Sequence, residues 1–173
     1  MDATKLIINK TEYHIFDSFN EQYSSQIVAI CPLLNMFSVN IVPHCQTSYW
    51  QLADCNDNDA FCSYINKTKS DITSTYAEIM VNADVCNGLC LTNNEMMAGL
   101  AHEIGHIIMY FRTDKDKYCG QSLEINCDVY ACRIGLRESL ISLIQKLIDC
   151  RKYSDELINQ MQNRLNFINM YKS

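Results

Sequence analysis

The segment 102–106 reads HEIGH, and its two histidines constrain the fold more than any other feature of the chain. Residues four apart on an α-helix lie about 40° from each other around the axis, so His102 and His106 leave one face and can bind one metal ion. Glu103 follows the first histidine, where a carboxylate can take a proton from an attacking water. The pattern therefore predicts a helix with the HExxH arrangement that is typical of zinc peptidases.

The residues around the motif also favour a helix. Thr92 and Glu95 form a capping-box pattern, which predicts that the helix begins at Asn93. Apolar residues then occur on nearly every side as far as Phe111, as expected of a buried helix. Gly105 costs about 1 kcal/mol relative to Ala, so we expect another backbone to approach closely there. The alternative is a core helix whose histidines are hydrogen-bonded buried groups without a metal.

A third ligand is predicted on the next helical segment, after a polar loop over 112–120. Glu124 and Asp128 are four apart and share a face. Glu124 would complete a set of two histidines and one glutamate, which leaves the fourth zinc position open to water, as a catalytic zinc requires. Asp128 would accept the free ring N–H of one histidine. Taken alone, the two carboxylates fit a solvated acidic face equally well.

HEIGH followed by SLEINCDVYA resembles the gluzincin metallopeptidases, and most of all their minimal members and the ImmA/IrrE type. Those proteins carry HExGH and then E-x-[EQ]-A-[DN]-x-[FY]-A. Asn126 and Cys127 depart from that pattern, both as small replacements, and the resemblance covers only residues 79–135. It implies one zinc ion per chain bound by His102, His106 and Glu124. It also implies that Glu103 is the general base and that Asp128 supports a ligand; Tyr130 and Ala131 also match the pattern.

The segment 77–83 (AEIMVNA) alternates and is rich in β-forming residues, which predicts a strand just before the HEIGH helix. The resemblance implies that this strand is the open edge of a sheet, where an extended substrate peptide could pair by strand addition. An ordinary half-buried strand is an equally good interpretation of the same residues.

The group that would stabilise the oxyanion is left open by the sequence. The candidates are Tyr110, Tyr118, Tyr130 and Arg133. Helical counting turns Tyr130 and Arg133 away from the Glu124 face, and none of the four is favoured. His14 and His44 are the remaining histidines, and we predict structural or surface roles for both. A regulatory metal site of His44 with Cys45 is the alternative for that pair.

The length of 173 residues predicts one domain, 1–173, of the α+β class. Its parts are an N-terminal segment 1–70 without an assigned role, a zinc-binding core 71–136 and C-terminal helices 137–173. The resemblance implies a small zincin-like fold, with a short mixed sheet whose edge strand lies beside the active-site helix. The opening residues predict a β-hairpin, 51–70 a surface loop, and 136–150 and 154–171 two helices. The last helix could also cover the cleft and hold the enzyme latent.

Composition excludes some partners and leaves location open. The net charge of −6 and the lack of a basic stripe argue against nucleic acid binding. No apolar stretch is a convincing membrane span, and the first residues do not resemble a signal peptide. We therefore expect a cytoplasmic protein whose ten cysteines are mostly buried thiols. Because that count would also suit disulfides, a secreted mature chain is the alternative.

These observations predict a zinc-dependent endopeptidase that hydrolyses a peptide bond with water activated by zinc and Glu103. Its partner would be a peptide or protein substrate. One alternative is a regulatory protein of the ImmA/IrrE type that cleaves or binds a specific repressor. Another is a zinc-bound interaction module without catalysis, although such a module would not need Glu103.

Overall fold

The computed structural model describes residues 3–8, 11–16, 38–43, 59–66, 76–112 and 121–171. The chain divides into two compact units, residues 1–83 and 84–173, and each is described by itself. The first unit contains a sheet and the second is helical, so the α+β class is confirmed. The organisation as a single domain stays a prediction.

The first unit contains a five-stranded mixed sheet with the order β1-β2-β3-β5-β4. β1 and β2 form the predicted antiparallel hairpin, in which Ala3 lies opposite Phe16. β3 is parallel to both β2 and β5, and β4 is antiparallel to β5. The strands are Ala3–Ile8 (β1), Thr11–Phe16 (β2), Ser38–Pro43 (β3), Phe61–Asn66 (β4) and Tyr76–Val81 (β5).

Two predictions about this sheet are wrong. The strand predicted as an open edge is β5, which lies between β3 and β4 and has both sides paired. Ile79, Met80 and Val81 are consecutive and fully buried, so both faces of this strand are covered, as is usual for a central strand. The edge position is held by β4, inside the segment 51–70 that was predicted to be a loop. Its aromatic and β-branched residues form a strand in spite of the polar residues around them.

The second unit is built from helices. Thr92 and Glu95 form the predicted capping box: the Thr92 N–H donates to Glu95 Oε2 at 2.6 Å, and the Glu95 N–H donates to Thr92 Oγ1 at 3.3 Å. Ser154 caps the last helix by accepting from the Leu157 N–H. The predicted helices are therefore confirmed. Their bounds are Ala83–Gly88 (α1), Asn93–Arg112 (α2), Gln121–Arg133 (α3), Arg137–Asp149 (α4) and Asp155–Met170 (α5).

α2 and α3 approach each other closely at Gly105. A Cβ built on this glycine would lie 2.8 Å from the Cα of Cys127, closer than real side chains allow. The prediction that another backbone approaches Gly105 is therefore confirmed. Because Gly105 lies between His102 and His106, this contact holds both histidines directly against α3.

The cysteines of the described residues are of several kinds. Cys86, Cys127 and Cys132 are buried and not disulfide-bonded, as predicted, whereas Cys90 is an exposed thiol. Cys62 in β4 is disulfide-bonded. Disulfides persist mainly in oxidising compartments, so the cytoplasmic location stays a prediction. None of the helices within the described part of the chain is long and apolar enough to cross a membrane.

Candidate metal centre

His102 and His106 project together from the middle of α2. Their rings meet edge to face, with centroids 4.9 Å apart, and their Nε2 atoms are separated by 3.2 Å. Both side chains are largely buried. The helical spacing predicted from the sequence thus brings two ring nitrogens to one point.

Glu124 reaches the same point from the first turn of α3. Its Oε2 lies 3.2 Å from the Nε2 of His102, and its Oε1 lies 3.3 Å from the Nε2 of His106. The side chain retains about a third of its surface in contact with solvent (32 %). The structure therefore places a carboxylate against both histidines on a side that water can reach.

Asp128 lies behind His102, one helical turn after Glu124. Its side chain is completely buried, and its Oδ1 accepts a hydrogen bond from the Nδ1 of His102 at 2.8 Å. A histidine that donates through Nδ1 presents the lone pair of Nε2 when the ring is neutral. Asp128 thus aims the Nε2 lone pair of His102 toward Glu124 and His106.

Arg164 of α5 also belongs to this cluster, and the sequence analysis missed it. Its Nε and Nη2 donate to the two oxygens of Asp128 at 2.8 and 2.7 Å, and its Nη1 lies 3.1 Å from Glu124 Oε2. One signal could have found this residue. Arg164 interrupts the apolar stripe of α5 that is formed by Met161, Leu165 and Ile168.

The charges in the cluster shift the pKa values of its members. Burial would raise the pKa of Glu124, but the hydrogen bond to His102 and the neighbouring positive charges lower it to about 2. Burial would raise the pKa of Asp128 as well, but Arg164 and His102 hold it below its ordinary value. Burial and Arg164 would lower the pKa of His102, yet the two carboxylates raise it to about 9. Burial lowers the pKa of His106. The site therefore favours a positive charge between His102 and Glu124.

The spacing of these atoms suits a metal ion. Zinc bonds of about 2.0–2.1 Å in tetrahedral geometry place neighbouring nitrogen and oxygen ligands about 3.3 Å apart. The three separations among His102, His106 and Glu124 are 3.2, 3.2 and 3.3 Å. These separations are close to the expected value, so the three groups could act as ligands of one metal ion.

Cys127 joins the histidines on the side where α2 and α3 touch. His102, His106 and Cys127 form a buried group that could bind a metal ion, with one ligand atom of each within 4.8 Å of the others. Burial raises the pKa of the Cys127 thiol. Against the family pattern, Cys127 is a small replacement for alanine. Its place one turn after Glu124 is the signal that could have indicated a ligand.

Glu103 is buried beside the histidines, with 7 % of its surface exposed. Within the described part of the chain no residue donates a hydrogen bond to its carboxylate. A buried carboxylate without a donor is unusual, because the loss of hydration is not compensated. Such a group is suited to accept a proton from a molecule that enters the site.

Of the other candidate residues, the structure describes the side chains of Arg133 and Tyr130. Arg133 is exposed and donates to the Tyr171 hydroxyl at 3.2 Å. Tyr130 is half-buried on α3. The remaining candidates lie outside the residues or side chains that the structure describes: Tyr110, Tyr118, His14, His44 and Cys45.

Comparison with known proteins gives no match for the chain: no protein-family model, no curated protein and no solved structure is similar to it.

Proposed function

We propose that this chain is a zincin-like, zinc-dependent endopeptidase. His102, His106 and Glu124 would bind zinc, and Glu103 would act as the general base. The observation that carries the proposal is the convergence of three metal-ligating groups at 3.2–3.3 Å from one another. The buried Glu103 carboxylate beside them adds a group that a purely structural metal site does not need.

The residues of the site divide the work of peptide hydrolysis. When bound, zinc supplies a Lewis acid that polarises the scissile carbonyl and makes water more acidic. Glu103 takes the proton from the attacking water and returns it to the leaving amine. Asp128 holds His102 in the tautomer that presents Nε2. Glu124 keeps about a third of its side chain in contact with solvent (32 %), so water can reach this side of the site.

The resemblance of HEIGH and SLEINCDVYA to the gluzincins supports the same function. It also includes the ImmA/IrrE type, which acts on one specific repressor. The substrate range separates these two possibilities, because a general endopeptidase would cleave casein and a repressor-specific protein would not. We propose a peptide or protein substrate in both cases.

A second candidate function rests on Cys127. If Cys127 bound the metal together with His102, His106 and Glu124, all four tetrahedral positions would be filled, as in structural zinc sites. The chain would then be a zinc-bound interaction module. Cobalt substitution separates the candidates, since a thiolate ligand gives a charge-transfer band that disappears in Cys127→Ser. The peptidase proposal predicts no such band.

The first experiment measures zinc content and peptide cleavage. Protein purified without chelators or metal-affinity resin should contain about one zinc per chain by elemental analysis. Glu103→Gln should keep the zinc and lose about 10²–10⁴-fold of the cleavage rate. Glu95→Gln, a change at another buried glutamate of the same helix, should leave the rate per folded molecule unchanged.

Two results would contradict the proposal. A protein that binds no zinc, even after zinc is added back, would mean that the histidines are structural. A Glu103→Gln variant that cleaves as fast as the unchanged protein would mean that another group activates the water.

A further inference from the structure

We infer that Arg164 is a positioning residue of the metal site, which holds Glu124 and Asp128 in place from α5. This inference rests on the proposed zinc site. It adds a residue that lies outside the HEIGH and SLEINCDVYA segments and brings α5 into the site.

The contacts of Arg164 span both carboxylates of α3. Two of its nitrogens donate to the two oxygens of Asp128, and the third lies 3.1 Å from Glu124 Oε2. Glu124 and Asp128 are one helical turn apart, and the planar guanidinium bridges that distance with a fixed geometry. A lysine ammonium is a single point of charge and could not contact both carboxylates in this way.

The burial of these groups determines how strongly Arg164 can restrict the side chain of Glu124. Arg164 has only 14 % of its side chain exposed, and Asp128 has none. Glu124 is the most exposed member at 32 %, so its side chain has the greatest freedom to turn away. Arg164 limits that freedom by holding one carboxylate oxygen. Residues that orient metal ligands through hydrogen bonds commonly change metal affinity by about 10–100-fold when they are removed.

A purely structural role must be separated from this one. Arg164 also neutralises Asp128, and loss of a partner of a buried ion pair destabilises a protein whether or not a metal site is present. The two roles differ at Glu124. Positioning requires that Arg164 affect zinc affinity through Glu124 even when Asp128 carries no charge.

The same contacts bear on the suggestion that the last helix covers the cleft and keeps the enzyme latent. Arg164 donates to Asp128, lies 3.3 Å from the Nδ1 of His102 and lies 3.1 Å from Glu124 Oε2. α5 therefore supplies a residue that holds two of the carboxylates around the histidines. We expect zinc binding to depend on α5 rather than to be restrained by it.

The test is a double-mutant cycle on zinc affinity in the full chain, measured by chelator competition. The four proteins are the unchanged chain, Arg164→Met, Asp128→Asn and the double variant. Asn at position 128 retains an acceptor for His102 and removes the buried charge. We expect Arg164→Met to weaken zinc binding by about 10-fold or more in both backgrounds. Arg133→Met is the matched control, because Arg133 is exposed and contacts Tyr171 instead of the site.

The outcomes are distinct. If Arg164→Met weakens zinc binding only when Asp128 is charged, the residue has a purely structural role and the inference is overturned. If circular dichroism shows that Arg164→Met alone does not fold, the zinc affinities of Asp128→Asn and of the double variant are compared. A weaker affinity in the double variant then supports the positioning role. Arg164→Lys should fold better than Arg164→Met and still bind zinc weakly; full recovery of affinity would overturn the inference. An unchanged chain without any zinc would overturn the proposed function as well, whereas equal affinity in every variant would overturn this inference alone.

Discussion

Two buried carboxylate clusters lie along α2, and they differ in what surrounds the negative charge. The first is at Glu95, in the first turn of the helix. The second contains Glu124 and Asp128, which meet the histidines in the middle of the helix. Both clusters join α2 to other helices of the same unit. They differ in the groups that contact the carboxylates.

Glu95 is surrounded by donors from the chain itself. Its oxygens accept from the Thr92 N–H at 2.6 Å, the Ser142 hydroxyl at 2.5 Å and the Lys146 ammonium at 2.8 Å. Burial would raise the pKa of Glu95, but these hydrogen bonds lower it to about 2. The cluster is complete without any ligand.

The cluster at His102 has a different composition. The Nε2 atoms of His102 and His106 lie close to each other and to Glu124, so three groups that can bind a metal ion meet at one place. Neighbouring Glu103 has no donor within the described part of the chain. Burial of charge alone does not indicate a functional site, since Glu95 is buried with a complete set of donors. The second cluster differs because, beside the positive charge that Arg164 supplies, it gathers three groups that can bind a metal ion.

The largest expected effect is stabilisation by zinc. At a free zinc concentration about 100 times the dissociation constant, binding should raise the free energy of unfolding by about 3 kcal/mol. His106→Ala should lose this gain, because it removes a proposed zinc ligand, whereas Lys146→Met should keep it. Urea unfolding with zinc and with a chelator measures the difference. An equal gain in His106→Ala would place the bound zinc elsewhere in the chain.

The next effect is the loss of the cation beside Glu95. Lys146→Met should lower the free energy of unfolding by about 2 kcal/mol, with or without zinc. Breaking a fully buried pair costs about 3–5 kcal/mol, and the loss here is smaller because Lys146 keeps a third of its side chain in water. Lys152→Met is the control, since Lys152 is exposed. Equal stability of the two variants would mean that hydroxyl and amide donors suffice for Glu95.

The smallest effect concerns the contact between α2 and α3 at Gly105, beside the proposed metal site. Gly105→Ala should destabilise the protein by about 1 kcal/mol, since the clash with Cys127 costs about 1–3 kcal/mol and alanine returns about 1 kcal/mol of helix propensity. It should also weaken zinc binding, because α2 and α3 must separate. Gly88→Ala is the matched control, with no atom within 4 Å of the added Cβ. Thermal unfolding and chelator competition follow the two effects; an unchanged zinc affinity would show that the spacing of α2 and α3 is not critical.

The parts of the fold that the sequence predicted are those determined by neighbouring residues. The caps at Thr92 and Ser154 depend on hydrogen bonds between residues three apart. The order of the strands depends on pairing between distant segments, so the central position of β5 could not be read from its own residues. β4 was missed because polar residues surround a short run of β-forming ones.

In the site, too, the sequence predicted the local arrangement and missed what depends on packing between distant segments. Spacings of four predicted that His102 joins His106 on one helix and that Glu124 joins Asp128 on another, and the structure brings the two pairs together. Arg164 could not be placed by spacing, because its role depends on how α5 packs against α3. Its position on an apolar stripe shows only that it is buried, and the partner is known only from the fold.

His102 and Arg164 lie 3.3 Å apart and are 62 residues apart in sequence. Contacts between such distant residues require that a long loop be closed, and they form late in folding compared with helices and their caps. While the chain folds, α2 can carry both histidines before α5 has docked. The full set of groups around the histidines therefore exists only once the helical unit has assembled, and we expect zinc uptake to follow folding and not to initiate it.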